Sequence, residues 1–138
     1  MENKKYNKVI TFGTFDLLHI GHVNILRRAK ELCDYLIVGV SSDQLNFDKK
    51  NKYPVYTEND RMDIVKSIRY VDEVFLEQSL ELKRDYIIDF NAEALAMGDD
   101  WTGKFDWCGD VCEVLYLPRT DNISTSITKE KIKGIVDL

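Results

Sequence analysis

Residues 13–22 read Gly-Thr-Phe-Asp-Leu-Leu-His-Ile-Gly-His, and this stretch decides the fold. Directly before it, residues 9–12 have the β-branched and aromatic composition of a strand. From Ile20 onward, apolar residues recur at helical spacing as far as Leu32. The stretch therefore predicts a strand, a glycine turn and the beginning of a helix, which is how a parallel α/β sheet commonly begins.

Strands and helices are predicted to alternate along the rest of the chain. Short apolar runs indicate four more strands, at residues 35–40, 73–76, 94–97 and 114–117. Cap residues and apolar stripes indicate helices from Thr57, from Ser79 through Phe90, and from Ser124–Thr125 through Val136. Residues 43–56 are predicted to be a polar loop. The alternation predicts one α/β domain over residues 1–138, a doubly wound, five-stranded parallel sheet flanked by helices.

Composition and charge narrow the class of protein. With 44% hydrophobic and 31% charged residues, the chain has an ordinary globular composition. The net charge of −5 argues against a nucleic-acid-binding protein, because such a protein needs a basic surface. No apolar run has the length of a membrane span, and the charged N-terminus lacks the apolar core of a secretory signal. We therefore expect a cytoplasmic protein without membrane insertion, whose three unpatterned cysteines are reduced thiols.

The two histidines of the chain both lie in the strand-to-helix junction. His19 and His22 are three positions apart, so on a helical turn they project to one side, and Gly21 leaves room between them. A helix N-terminus offers unpaired N–H groups and a positive dipole end to an anion. As imidazolium ions or as neutral donors, the histidines can bind a triphosphate. A metal site is disfavoured because the chain has no third histidine. For either histidine alone, the simpler interpretation would be that it lies near the turn by chance, and the presence of both in one junction weakens that interpretation.

The junction resembles the signature of the cytidylyltransferase-like nucleotidyltransferase superfamily, through Thr14-Phe15-Asp16 and His19-Ile20-Gly21-His22. The resemblance implies a Rossmann-like fold, with histidines of an H-x-G-H motif that contact the nucleotide phosphates and stabilise the transition state at the α-phosphorus. Residues 119–126 resemble a second block, in which an arginine meets the nucleotide and Ser and Thr hold the triphosphate. Spacing alone would favour an ordinary Ser/Thr helix cap there, and its pairing with the histidine segment favours the functional interpretation.

Residues 68–74, 97–101 and 103–106 resemble one branch in particular, the glycerol-3-phosphate cytidylyltransferases. The resemblance implies CTP with Mg²⁺, a small phosphorylated alcohol as acceptor, CDP-glycerol as product, a homodimer, and a place in teichoic-acid or capsule synthesis. It implies His19, His22 and Arg119 as catalytic residues. It implies nucleotide contacts at Thr14, Phe15, Asp16, His19, Gly21, His22, Arg61, Arg69, Asp99, Asp100, Arg119, Thr120, Ile123, Ser124 and Thr125. It implies acceptor contacts at Lys49, Lys52, Lys83 and Trp101.

Several of these residues have a simpler alternative. Lysine clusters are usually solvated, and aspartates beside glycine usually form turns. Arg61 and Arg69 are eight positions apart, so they are predicted to share a face of one helix. No carboxylate can be assigned to the metal. Three other functions stay open: an adenylyltransferase such as an archaeal-type FAD synthetase, a cytidylyltransferase for another phosphorylated alcohol, and a nucleotide-binding module without catalysis.

Overall fold

The computed structural model describes residues 4–121 and 123–136, so the ends of the predicted domain and Asn122 lie outside the described residues. The strands are β1 (Tyr6–Gly13), β2 (Cys33–Ser41), β3 (Glu73–Glu77), β4 (Ala94–Gly98) and β5 (Glu113–Leu117). The α-helices are α1 (Ile20–Lys30), α2 (Asp43–Lys50), α3 (Glu58–Lys66), α4 (Lys83–Asp89) and α5 (Thr125–Val136). Short 3₁₀ helices lie at Leu80–Leu82, Asp99–Trp101 and Asp106–Cys108.

The five strands form one parallel sheet in the order β3-β2-β1-β4-β5. Strand β1 is central, since Val9 pairs with Leu36 of β2 on one side and with Ala94 of β4 on the other. The chain builds outward from β1 to β3 and then returns to the other side of β1. The strand order therefore reverses between β1 and β4, where open α/β sheets bind ligands at the carboxyl ends of their strands. The predicted doubly wound, five-stranded parallel sheet is confirmed.

Both faces of the sheet are covered by apolar side chains. On one face, Val9 packs in a cluster with Leu26 of α1 and Val65 of α3. On the other face, Ile10 and Ile87 of α4 belong to a second cluster. Since neighbouring strand residues point to opposite faces, a central strand covered on both faces reads as a continuous apolar run. This explains why continuous apolar runs located the strands.

The predicted polar loop over residues 43–56 is wrong in its first half, which is helix α2. Ser42 caps this helix, because its hydroxyl accepts a hydrogen bond from the Leu45 amide at 3.0 Å. The helix ends at Asn51, which has a left-handed backbone with φ 57°. It buries only Leu45 and Asn46, so it lacks the apolar stripe that would have marked it as a helix. Its cap residues were the available signal.

Helix α3 begins at the predicted cap, because the Thr57 hydroxyl accepts from the Asp60 amide at 3.3 Å. It ends at Lys66 and is capped by Ser67, whose own hydroxyl bonds back to the Ile64 carbonyl at 2.6 Å. The prediction that Arg61 and Arg69 share one helix is therefore wrong.

Three smaller predictions of the sequence also have an outcome. Ser79 caps the short 3₁₀ helix that precedes α4, so the helix predicted from Ser79 begins as a tighter turn. The three cysteines carry free thiols, as expected. Among the described residues, no helix has the length and apolar character needed to cross a membrane.

Candidate active site

The turn that follows β1 has an unusual backbone. Phe15 and Leu17 both have positive φ angles, 55° and 48°, in a region that residues with a Cβ seldom occupy. The buried Phe15 ring folds back over Gly13, where a Cβ would lie 2.8 Å from a ring carbon. Glycine is therefore required before the turn. Thr14 is fixed by its hydroxyl, which donates to Asn46 Oδ1 at 2.8 Å. Such local strain is typical of functional sites.

The two histidines cap helix α1 reciprocally. His19 Nδ1 accepts a hydrogen bond from the Gly21 amide at 3.0 Å, and His22 Nδ1 accepts from the His19 amide at 3.1 Å. Their rings stack with centroids 3.8 Å apart and planes 20° apart. The sequence predicted that they project to one side, and the capping bonds supply the physical reason. Each ring is thus held at a fixed orientation at the helix mouth.

These hydrogen bonds determine where the imidazole protons lie. A ring nitrogen that accepts from an amide carries no proton, so each neutral histidine has its proton on Nε2. Burial, followed by the neighbouring His19, lowers the pKa of His22 to about 4. Burial and the charge of Arg119 also lower the pKa of His19. Of the two alternatives left open by the sequence, the structure favours neutral donors that present Nε2–H groups.

A cavity of about 450 Å³ lies at the carboxyl ends of β1 and β4. It brings together most of the predicted site, because the first turn, the start of α1 and the start of α5 all contribute to its walls. The predicted residues that line it are Thr14, Phe15, Asp16, His19, Gly21, His22, Lys52, Asp100, Trp101, Arg119, Thr120, Ile123, Ser124 and Thr125.

The far wall of the cavity is the segment that leads into α5. The Ser124 hydroxyl accepts from the Ile127 amide at 3.1 Å and so caps the helix. The Thr125 hydroxyl donates to the Asp16 carbonyl at 2.7 Å, which ties α5 to the first turn. Arg119 lies 3.7 Å from the Asp100 carboxylate. The segment therefore contains the ordinary Ser/Thr helix cap that spacing alone favoured, and the same residues also line the cavity.

Several predicted residues lie outside the lining. Arg61 is fully buried, and its guanidinium donates to the carbonyls of Thr14 and Tyr56 at 2.8 and 3.0 Å. Arg69 is exposed and donates to the Tyr70 hydroxyl. Asp99 lines a second depression of about 360 Å³, which shares Asp100 and Arg119 with the main cavity. Their predicted contacts with a nucleotide stay predictions.

The lysines divide into two groups. Lys83 is buried in an ion pair with Glu77, 4.4 Å from the centre of the Phe12 ring. Burial lowers the pKa of Lys49, and the nearby Glu77 carboxylate opposes that shift. Neither lysine lines the cavity, whereas Lys50 and Lys52 do.

Among the lining residues that sequence reasoning did not assign to the site are Asn46, Lys50 and Lys129. Lys129 lies four positions after Thr125 on α5, so helical spacing could have identified it. Lys50 belongs to the lysine cluster at residues 49–52. Because this region was predicted to be a loop, no helical face was available to indicate which of these lysines points to the cavity. The cavity concentrates cations within an acidic chain.

The carboxylates near the cavity do not form a metal cage. Among the residues that the structure describes, no three His, Cys, Asp or Glu side chains cluster to hold a metal ion. Asp16 accepts hydrogen bonds from two backbone amides, so its oxygens are engaged. Asp100 is a partly exposed carboxylate of the lining. These residues fit a Mg²⁺ ion that phosphate oxygens mainly hold, with one carboxylate at most.

Comparisons with known proteins agree with this architecture. The sequence model of the family described as cytidylyltransferase-like matches residues 10–131. Over 128 residues, the chain is 53% identical to a glycerol-3-phosphate cytidylyltransferase of Bacillus subtilis, covering 93% of this chain and 98% of that one. An FAD synthase of Pyrococcus horikoshii is 35% identical over 138 residues, with 93% of each chain covered. The lipopolysaccharide core biosynthesis protein of Thermoplasma volcanium shares the fold, with a TM-score of 0.72 at 24% identity over 84% of this chain and 99% of that one.

Proposed function

Because the chain belongs to the cytidylyltransferase-like family, we propose that it transfers the cytidylyl group of CTP to sn-glycerol 3-phosphate, giving CDP-glycerol and pyrophosphate. The observation that carries this proposal is the pair of oriented, neutral histidines that line one cavity with the start of α5. The relative with 53% identity, a glycerol-3-phosphate cytidylyltransferase, supports the choice of nucleotide and acceptor.

The reaction needs no nucleophile from the protein. An oxygen of the acceptor phosphate, which is anionic at neutral pH, forms a bond to the α-phosphorus of CTP. The bond from that phosphorus to the β-phosphate oxygen breaks, and pyrophosphate leaves with the electron pair. The protein must therefore hold the attacking oxygen in line and disperse the charge that develops on the phosphates.

The histidines supply hydrogen-bond donors for that charge. His19 and His22 donate from Nε2–H to oxygens of the α-phosphate and of the departing pyrophosphate, where preorganised donors lower the barrier. Arg119 adds a fixed positive charge beside the nucleotide. At the start of α5, the Thr125 hydroxyl donates to the Asp16 carbonyl and the Ile127 amide donates to the Ser124 hydroxyl. The Ser124 O–H and the backbone amides that precede Ile127 in this helix are therefore the donors for the triphosphate.

The acceptor phosphate binds on the side of the cavity that carries Lys50 and Lys52. Both residues belong to the lining, and the acceptor needs cations there because two anionic substrates must approach each other. Trp101 lines the same cavity, with its ring 5.5 Å from that of Phe105, and covers the bound substrates. The predicted roles of Lys49 and Lys83 stay predictions, since Lys83 pairs with the Glu77 carboxylate and Lys49 lies near that carboxylate rather than in the lining.

Mg²⁺ accompanies CTP in this proposal, with Asp100 as the carboxylate that would hold it. The ion would neutralise charge on the β- and γ-phosphates when bound. Asp16 does not serve this purpose, because its oxygens accept the amides of Val55 and Tyr56 at 2.7 and 2.9 Å.

Three wider expectations belong to the same proposal. The reaction takes place in the cytoplasm, in keeping with three free thiols. The chain acts as a homodimer, as its resemblance to the glycerol-3-phosphate cytidylyltransferases implies. CDP-glycerol then serves the synthesis of teichoic-acid or capsule polymers. Light scattering of the purified protein tests the dimer, and a mass of one chain at micromolar concentration contradicts it.

The first test is pyrophosphate release measured across CTP and ATP, each with glycerol 3-phosphate, phosphoethanolamine and FMN. The proposal predicts turnover with CTP and glycerol 3-phosphate. Turnover with ATP and FMN would instead support the FAD synthase alternative, which the relative at 35% identity favours only weakly. Tight CTP binding without turnover on any acceptor would support a silent nucleotide-binding module.

A variant connects the activity to this cavity. His19→Ala should lower turnover at least about a hundredfold, the loss typical of one preorganised donor. Circular dichroism must show that the variant remains folded. Near-normal turnover in a folded His19→Ala protein would contradict the role of the histidine pair.

A further inference from the structure

The segment that carries the cavity lysines is fixed at both of its ends. At its beginning, helix α2 is closed by Asn51, whose amide donates to the Phe47 carbonyl at 2.7 Å. The Tyr53 ring then stacks on Phe47 with a centroid separation of 4.7 Å. The far end of the segment, at residues 55–56, is held by contacts of a different kind.

Two buried, charged side chains grip the backbone at residues 55–56. The Asp16 carboxylate accepts from the Val55 amide at 2.7 Å and from the Tyr56 amide at 2.9 Å. Arg61 Nε donates to the Tyr56 carbonyl at 3.0 Å. The N–H and C=O groups of Tyr56 are thus both taken by side chains of opposite charge. Asp16 is 4% exposed and Arg61 is 0% exposed, so water does not compete for these hydrogen bonds.

The same two residues also hold the turn that leads to the histidines. Arg61 Nη1 donates to the Thr14 carbonyl at 2.8 Å. The Asp16 carbonyl accepts from the Thr125 hydroxyl of α5 at 2.7 Å. Three segments therefore meet at Asp16: the turn after β1 and the start of α5, which line the cavity, and residues 55–56, which directly follow the lining residues Tyr53 and Pro54.

The backbone around Asp16 indicates that this arrangement is under constraint. The residues on both sides of it, Phe15 and Leu17, have positive φ angles. Such conformations are unfavourable for residues with a Cβ and persist only where the surroundings over-determine them. Charge-assisted bonds from a buried carboxylate and a buried guanidinium are strong enough to hold them.

We propose that Asp16 and Arg61 form a positioning clamp that sets the acceptor lysines at their working distance from the histidines. This inference rests on the proposed function, because it assigns Lys50 and Lys52 to the acceptor phosphate. In this proposal Asp16 and Arg61 act through the backbone of residues 14 and 55–56 and not through contact with a substrate. The nucleotide contacts that the sequence resemblance implies for them stay predictions, and the kinetic test decides between the two roles.

The kinetic test uses Asp16→Asn, which keeps the size of the side chain but offers only one oxygen to two amides. The KM for glycerol 3-phosphate should rise at least about tenfold, because misplaced binding groups lose the geometry that positioning supplies. The KM for CTP should stay within about twofold, since the Asp16 carbonyl still accepts from Thr125. Arg61→Lys, which removes the planar fork of donors, should show the same split.

The control is Asp63→Asn, an exposed substitution on α3 that leaves the clamp intact. It should leave both KM values and kcat unchanged. A fall in thermal stability of the Asp16→Asn protein with unaltered KM values would overturn the clamp and leave a structural role only. A selective rise in the KM for CTP would overturn it in favour of a direct nucleotide contact.

Amide hydrogen exchange of the wild-type protein provides a measurement independent of turnover. The Val55 and Tyr56 amides should be protected, and Asp16→Asn should speed their exchange at least about tenfold relative to Asp63→Asn. Equal exchange in both variants would overturn the clamp. Absence of wild-type turnover with CTP and glycerol 3-phosphate would instead refute the proposed function, while exchange would still decide whether the clamp exists.

Discussion

Substitution of Gly21 by alanine tests how strictly the histidine pair must be placed. A Cβ at this position would lie 2.8 Å from His19 Cε1 and 3.2 Å from Ile123 Cγ2. Ordinary contacts of a Cβ begin at 3.4 Å, so the His19 ring must move by about 0.6 Å, the difference between 3.4 and 2.8 Å. The ring cannot rotate away without cost, because it stacks on His22 and accepts the amide of residue 21 itself.

The effect on rate should be large and the effect on stability small. Since a misplacement of about 1 Å can cost about a hundredfold in rate, we expect Gly21→Ala to lower kcat between about tenfold and a hundredfold. Alanine favours the helix by about 1 kcal/mol over glycine, while crowding costs about 1–3 kcal/mol. The free energy of unfolding should therefore fall by no more than about 2 kcal/mol.

The chain offers a matched control at Gly134. This glycine also lies in a helix, α5, and a Cβ there would meet nothing within 4 Å. Gly134→Ala should leave kcat unchanged and raise the free energy of unfolding by up to about 1 kcal/mol. Pyrophosphate release gives kcat, and urea titration gives the stability. Wild-type turnover of a folded Gly21→Ala protein would refute the claim that the orientation of the His19 ring limits the rate.

Three further predictions concern the histidines, the buried ion pair and the metal. The pKa of His22 is about 4 in the folded protein and 6.5 in the unfolded chain, so between these pH values the unfolded chain binds more protons. The free energy of unfolding therefore falls by roughly 3 kcal/mol as the pH is lowered from 6.5 toward 4, and the full value is present above pH 6.5. Urea midpoints between pH 4 and 8 should show that loss in the wild type and less of it in His22→Asn, and parallel curves would contradict it. Glu77→Gln should lower the free energy of unfolding by about 3–5 kcal/mol, because it leaves the Lys83 charge buried and unpaired. Adding Lys83→Met should recover most of that loss in urea titrations, and a double variant no more stable than Glu77→Gln would contradict this account. Removal of Mg²⁺ by EDTA should abolish turnover, and Asp100→Asn should raise the Mg²⁺ concentration for half-maximal rate several-fold; an unchanged value would exclude Asp100 as a ligand.

The sequence predicts the sheet well because its central strands are buried on both faces. Residues 9–12 and 35–40 are apolar runs typical of covered parallel strands, and they lie in β1 and β2 as predicted. Helix α2 was missed because it buries two residues and owes its boundaries to Ser42 and Asn51. A short helix of this kind is specified by its caps, which periodicity does not detect.

The candidate site was predictable where local sequence determines local geometry. His19, Gly21 and His22 act within one helical turn, so their spacing alone predicted a shared side. The roles of Asp16 and Arg61 depend on contacts with residues 55–56, about 40 positions from Asp16, which no local pattern encodes. The burial of Lys83 against Glu77 likewise follows from the packing of α4 on the sheet.

The most direct test of the account follows isotope from acceptor to product. Glycerol 3-phosphate labelled with ¹⁸O in its phosphate is incubated with CTP, Mg²⁺ and the protein, and the products are analysed by mass spectrometry. Attack by the acceptor phosphate on the α-phosphorus predicts CDP-glycerol that retains the label, including the bridging oxygen, and pyrophosphate that carries none. Labelled pyrophosphate, or no CDP-glycerol while CTP still binds, would contradict the central claim.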